Sequence, residues 1–349
     1  MHMADALLSP AVGIAMNAVS LVAIGISVVK VKKEELGEKK IPIIGIAGAL
    51  VFAGQMINFT IPMTGASGHI GGGILLAGLL GGVPAFLSIT AVLVIQCLFF
   101  ADGGLLALGC NIFNIGVIPC LIVYPLVFKP IIRNGADYKR LSFASVLSVM
   151  IGLELGALFV VLQTLLSGIT ELPFGMFAAL MLPIHLVIGL VEGLVTAAVL
   201  CFIYKMRPEI IDVTLSGKSL GGVSMKKVLI VLVALTIVIG GGLAIFASAN
   251  PDGLEWAIGK TTQQVQGMEA EIEAEGAIHD GAAGVQEKTS LMPDYAFASD
   301  PENTAGTSIS GIVGAAVTFA LAGAAGLVIS IVKKGKNKNK TTMLNDSRF

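Results

Sequence analysis

The chain has 349 residues, 55% of them apolar and 13% charged, with a net charge of −1 and a mean hydropathy of +0.89. Soluble domains carry roughly 25% charged residues, so this composition excludes a water-soluble globule. The near-zero charge offers no basic face for nucleic acid. Cys97, Cys110, Cys120 and Cys201 lie in apolar runs without CxxC spacing, which argues against a disulfide frame.

A membrane-spanning helix takes about 20 apolar residues. The first such run lies near 11–29. Its basic residues, Lys30, Lys32, Lys33, Lys39 and Lys40, follow it, whereas in a signal peptide they come first. This predicts a retained helix with its N-terminus outside. A second run covers 41–62. The stretch 70–100 is too long for one span and is broken at Gly81-Gly82-Val83-Pro84, where proline ends or kinks a helix. Divided into 70–82 and 84–100, it puts Lys129, Arg133, Lys139 and Arg140 on the cytoplasmic side. Lys205, Arg207, Lys218, Lys226, Lys227 and the terminal cluster Lys333, Lys334, Lys336, Lys338 and Lys340 fall there too. Further runs lie near 105–128, 142–167, 174–204, 227–248 and 309–332.

The expected fold is an all-α integral membrane protein of nine helices, N-terminus outside and C-terminus inside. Residues 1–207 form a seven-helix bundle, 208–226 a polar cytoplasmic linker, and 227–349 a two-helix second part. The external loop 249–308 of that unit is rich in Gly, Ala, Glu and Asp without apolar periodicity. It is expected to be mobile or to fold only against a partner.

The start of the chain carries the most specific chemistry. The bulky His2 protects Met1 from removal, leaving an α-amine, the His2 amide and the His2 imidazole in succession. These three nitrogens close a five- and a six-membered chelate ring around one metal. Tetragonal nitrogen sites favour Ni(II) and Cu(II), and ligands that must lose protons bind more weakly in acid. His69 is the histidine placed at the same face by a short glycine-rich loop. His279 lies in the polar loop of the second part and His185 within a helix. The competing reading is an accidental His2 and a solvated His69.

Asp102, Asn111 and Asn114 are placed to orient the imidazoles from behind, or simply to cap and pair helices. Gln55 and Asn58 are weaker candidates of the same kind. Glu154, His185 and Glu192 are ionisable residues inside spans, where charge is costly and function is the default reading. His185 and Glu192 share a helical face, which Glu154 can join in a polar network or, less simply, a second metal station. Gly45, Ala49 and Ala53 recur at the four-residue spacing that lets a second helix approach closely, within the chain or from a partner. No GxxxxGK[ST] loop occurs in the sequence.

The opening Met1-His2-Met3-Ala4-Asp5-Ala6-Leu7-Leu8-Ser9-Pro10 resembles that of the CbiM/NikM family. These are the cobalt and nickel substrate-binding membrane subunits of energy-coupling-factor transporters. Gly65-Ala66-Ser67-Gly68-His69, Ala101-Asp102-Gly103-Gly104, Ala107 to Asn114, His185-Leu186, Gly189 and Val191-Glu192-Gly193 match as well. Pro251-Asp252-Gly253-Leu254-Glu255 resembles the signature of the accessory CbiN/NikN-like subunit, the PDGLE domain. The resemblance implies a natural fusion of the two subunits in the plasma membrane of a prokaryote. It implies Met1, His2 and His69 as metal ligands, Ni2+ or Co2+ as transported substrate, and no permanently bound cofactor. The small-residue stripe resembles the surface by which such subunits dock on a coupling partner. The implied partners are a transmembrane coupling subunit (CbiQ/NikQ-like) and cytoplasmic ATPase subunits (CbiO/NikO-like). Met3-Ala4 and Ala6 depart from the Ile-Pro and Gly of many relatives. Two alternatives stand beside this reading. A metal-independent facilitator or channel would transport without ATPases and without His2. An intramembrane metalloenzyme would want an HExxH-like pair, which the sequence lacks.

Overall fold

The computed structural model describes residues 2–33, 40–170, 172–216, 226–266, 276–297, 299–300 and 303–324. Met1, Lys39, Lys218 and the terminal lysine cluster lie outside the described residues. Helix α1 (Pro10–Lys33) opens on a proline, whose missing N–H costs nothing at a first helical position. It is followed by α2 (Lys40–Gln55), a short hairpin of β1 (Phe59–Ile61) and β2 (Ala66–Gly68), α3 (Gly73–Leu80) and α4 (Gly82–Phe100). Then come α5 (Leu108–Ile132), α6 (Tyr138–Ser167) and α7 (Phe174–Met206). The second part adds α8 (Pro208–Ser216), α9 (Lys226–Gly241), α10 (Gly253–Gln266), α11 (Ala277–Thr289) and α12 (Thr304–Ala324).

Helices α1, α4, α5, α6, α7 and α12 are long and apolar enough to cross a membrane. Large apolar side chains such as Leu21, Leu126 and Leu166 point outward. Helices apolar on all sides are what a bilayer solvates. The chain is a multi-pass helical membrane protein, and the three-residue strands are its only sheet among the described residues. The winding of α5 widens to a π-helix over Ile112–Phe128. Pro119 and Pro125 lie inside it and cannot donate to the usual i−4 carbonyl.

The stretch 70–100 does divide. Gly81 adopts φ 87° and ψ 157° between α3 and α4, a conformation side chains other than glycine's resist. The expected span 70–82 is nevertheless not a spanning helix. Its eight helical residues measure about 12 Å, against roughly 30 Å of hydrocarbon. Residues 69–72 lead into α3 without helix. Non-helical backbone inside a helical membrane bundle must find its partners within the protein. Glu192 supplies them, accepting the N–H groups of Gly71 and Gly72 at 2.8 Å each. The amide of Gln55 donates to the Gly71 carbonyl at 2.8 Å. Likewise, the expected span 41–62 leaves helix at Gln55, and its last residues form β1.

Part of the expected polar linker is structured. Ile210 and Ile211 of α8 are buried, and Thr214 donates to the Leu79 carbonyl at 3.0 Å. This ties α8 to the end of α3 farthest from His69. The later parts of α5 and α7 lie there too: a Cβ on Gly78 of α3 would sit 2.8 Å from Leu200 of α7 and 3.4 Å from Phe128 of α5.

The second part packs on the first. α9 lies along α2. A Cβ on Gly45 would sit 2.9 Å from the Phe319 ring of α12, and one on Gly240 of α9 would sit 3.2 Å from the Ala53 Cβ. The small-residue stripe is therefore covered from within the chain. The described residues of 249–308 fold against the bundle as well. Ser67 donates to the Pro251 carbonyl at 2.8 Å and Ser248 to that of Asn58 at 2.7 Å. The Trp256 indole reaches the Thr64 carbonyl at 2.9 Å, and Gln286 reaches the Gly103 carbonyl at 2.8 Å. The loop's partner is its own chain, which is why its sequence shows so little self-contained apolar periodicity.

Candidate metal centre

The N-terminal segment is threaded into the bundle beside the loop that follows α4. Its backbone at Met3 donates to Asn111 Oδ1 at 2.7 Å. The Asn111 amide returns a bond to the Met3 carbonyl at 3.2 Å, which Gly104 N–H also reaches at 2.9 Å. Asp5 accepts the Ala107 N–H at 2.8 Å. A Cβ on Gly104 would collide with the Asp5 carboxylate, so the glycine in Ala101-Asp102-Gly103-Gly104 makes room for the incoming chain. The Met3 side chain is fully buried, with its sulfur 3.8 Å from the Asn114 amide.

This clamp presents His2. Its imidazole stacks on that of His69, with centroids 5.3 Å apart and planes 9° from parallel. Nδ1 of His2 lies 3.3 Å from Oδ1 of Asp102, and Nε2 is buried with no hydrogen-bond partner among the described residues. Burial outweighs the nearby Asp102 and lowers the His2 pKa to about 4, so the ring is neutral at physiological pH, the form that ligates metals. Nδ1 of His69 lies 3.2 Å from the Ile70 carbonyl. A carbonyl only accepts, so in that contact Nδ1 carries the proton, and Nε2 is the nitrogen that faces the second part of the chain.

The second part of the chain contributes directly. Asp252 caps α10: its Oδ1 accepts the N–H groups of Leu254 and Glu255 at 2.8 and 2.9 Å, while Glu255 accepts the Asp252 N–H at 3.1 Å. This is a reciprocal capping box. It turns Oδ2 of Asp252 toward His69 Nε2, 3.8 Å away. Burial pushes the Asp252 carboxyl up, but the positive charge around it, His69 included, holds it well below the usual carboxylate range. Tyr295 donates to Asp102 Oδ2 at 2.5 Å and stacks on Phe100 at 4.8 Å, bracing the carboxylate that faces His2.

Of the residues singled out from sequence, His2, His69 and Asp102 meet here. Asn111 holds the backbone behind His2. Asn114 is a step further away, paired with Gln163 at 2.8 Å. Glu192 holds the backbone after His69. His185 is buried, with Nδ1 2.8 Å from the Met181 carbonyl. It shares with His69 and Asp252 a cavity of about 20 Å3, room for about one water. Glu154 joins none of these, and its Oε1 has no hydrogen-bond partner among the described residues. The expected Glu154–His185–Glu192 network thus does not form as one unit. Asp252, Tyr295 and Gln286 were not anticipated as site residues. Among the described residues no three His, Cys, Asp or Glu side chains converge in the manner of a preformed metal cluster.

Residues 2–210 match the family described as the cobalt uptake substrate-specific transmembrane region, CbiM. The chain belongs to this family. Residues 226–331 match the PDGLE domain. A putative fused nickel transport protein NikMN of Archaeoglobus fulgidus is 32% identical, over 92% of this chain and 96% of its own length. The cobalt transport protein CbiM of Sorangium cellulosum is 32% identical over 61% of this chain and 95% of its own. A crystal structure of a truncated transition metal transporter superposes with a TM-score of 0.52 at 28% identity, covering 59% of this chain and 99% of that one. The family match covers the bundle and its threaded start, and the relative from A. fulgidus carries both parts in one chain.

Proposed function

We propose that this protein captures Ni2+ or Co2+ and passes it inward as the substrate-specific subunit of an ATP-driven energy-coupling-factor importer. The observation that carries the reading is the His2–His69 pair, two imidazoles stacked at the end of a threaded N-terminus. The Met1 α-amine, the His2 amide nitrogen and, once the ring gives up its contact with Asp102, His2 Nδ1 form the chelate, and His69 Nε2 closes the square. A donor set drawn half from the backbone also explains why no side-chain cluster is needed. Asp102, braced by Tyr295, and Asp252 supply negative charge beside the bound cation. The relatives' names support nickel or cobalt as cargo.

Orientation follows from charge. Lys129, Arg133, Arg140, Lys205, Arg207 and Lys226 all sit at the end away from His2, which the positive-inside rule assigns to the cytoplasm. The site then opens outward, with the C-terminus inside. We read residues 1–207 as the metal-binding bundle, 208–226 as the linker and 227–349 as the accessory unit that covers the site. Energy for release comes from a CbiQ/NikQ-like coupling subunit and CbiO/NikO-like ATPases.

The test is nickel titration of detergent-purified His2→Ala and His69→Ala variants that insert normally. Each is expected to lose one-equivalent binding. Wild-type affinity in both would refute the site.

A further inference from the structure

Above His2, between the threaded N-terminus, the loop after α4 and the accessory helices α10 and α11, lies a vestibule of about 410 Å3. Six carboxylates line it: Asp5, Asp102, Asp252, Glu255, Asp280 and Asp294. No lysine or arginine does among the described residues. The His2 imidazole also lines it, with its side chain only 8% exposed and its Nε2 without a partner. Three of the six acids belong to hydrogen-bonded structure that accounts for them locally: Asp5 anchors Ala107, while Asp252 and Glu255 cap α10. Asp280, in the first turn of α11, and Asp294 are exposed at the rim. Partial desolvation in the cleft raises the Asp294 carboxyl, and repulsion from Asp102 adds to it.

We propose that this vestibule is a cation antechamber, in which the accessory part of the chain supplies carboxylates that concentrate hydrated divalent ions and direct them onto His2. The inference rests on the metal-capture reading above and extends it to the entry route. A cleft lined by one sign of charge between low-dielectric walls focuses the field and raises the capture rate of an oppositely charged ligand. A hydrated divalent ion must shed water before it enters a four-nitrogen square, and acids at the rim hold it nearby while it does. Because the rim acids do not ligate the final site, they set the rate of arrival and leave the final complex alone.

The test is stopped-flow absorption of Ni2+ binding to the full chain in detergent, comparing wild type with Asp280→Asn/Asp294→Asn at low and high salt. The control is Asp212→Asn, which removes a carboxylate from the far end of the bundle. The double variant is expected to associate about tenfold more slowly at low salt, to converge on wild type as salt screens the field, and to reach the same final spectrum. The control should match wild type throughout. Equal rates and equal salt dependence for all three, with a normal final spectrum, would overturn the antechamber and leave the site intact. A wild type that forms no nickel complex would overturn the capture reading and the antechamber with it.

Discussion

Asn111 pairs with both backbone groups of Met3, accepting its N–H at 2.7 Å and donating to its carbonyl at 3.2 Å. A side-chain amide thus does for one residue what a neighbouring strand would do, at the position next to His2. Asn111→Ala would leave the Met3 N–H without that acceptor in a buried setting, a penalty of about 1–3 kcal/mol. Because 1.4 kcal/mol is tenfold in an equilibrium, nickel affinity should weaken by about 5- to 150-fold. Titration of the purified variant checks this, and unchanged affinity would mean the clamp does not position the chelate.

Glu192 gives a second prediction. It is 3% exposed and carries two N–H groups that no helix can satisfy. Glu192→Ala strands both and should lower thermal stability and metal affinity together. Glu192→Gln keeps one acceptor oxygen and turns an amide donor toward the other N–H, so it should fall between. Glu154→Gln, outside this contact, should leave nickel binding at wild-type strength. Melting temperatures and nickel titrations of the three variants decide the order.

The stripe on α2 separates two roles by where a defect shows. Gly45→Leu drives a side chain into Phe319 of the same chain. Overpacking of this kind costs about 1–3 kcal/mol, so the isolated protein should melt at a lower temperature with no transport partner present. If stability in isolation were unchanged and only assembly with a coupling subunit failed, the intramolecular contact would not be what the stripe serves.

The accessory loop is expected to hold the site closed. Asp252→Ala removes a helix cap worth about 1 kcal/mol along with the carboxylate facing His69, and nickel should dissociate faster. Replacing residues 249–308 with a short linker should go further and impair both metal loading and uptake. Unchanged loading and uptake in that deletion would show that the loop has no part in capture.

Much of the fold was legible because apolar runs and basic flanks report lipid and cytoplasm directly. The break at Gly81-Pro84 was visible for the same reason: glycine and proline leave marks no neighbour can erase. What lay on the far side of that break was not legible. A half-length helix preceded by non-helical backbone looks apolar like a full span, and its feasibility depends on Glu192, more than a hundred residues away. His2 and His69 were legible as candidates because a chelate is covalent connectivity, readable from two residues. Asp252 was quoted as part of a motif and missed as a site residue. Its Asp-x-x-Glu spacing signals a capping box, but only the docking of that helix turns the remaining oxygen to His69. Tyr295 and Gln286 left no local signal, since their partners lie across the fold in a segment without apolar periodicity.

The central claim is that the free amine at the start of the chain is a metal ligand, and extension by a single residue addresses it most directly. Nickel content and visible absorption would be measured for the protein with its native start and for a version with one residue added before Met1. The expected result is a yellow complex with one equivalent of nickel in the native protein, absent from the extended one. Equal nickel content and an identical spectrum in both would contradict the N-terminal chelate and move the site to the side chains around His69 and His185.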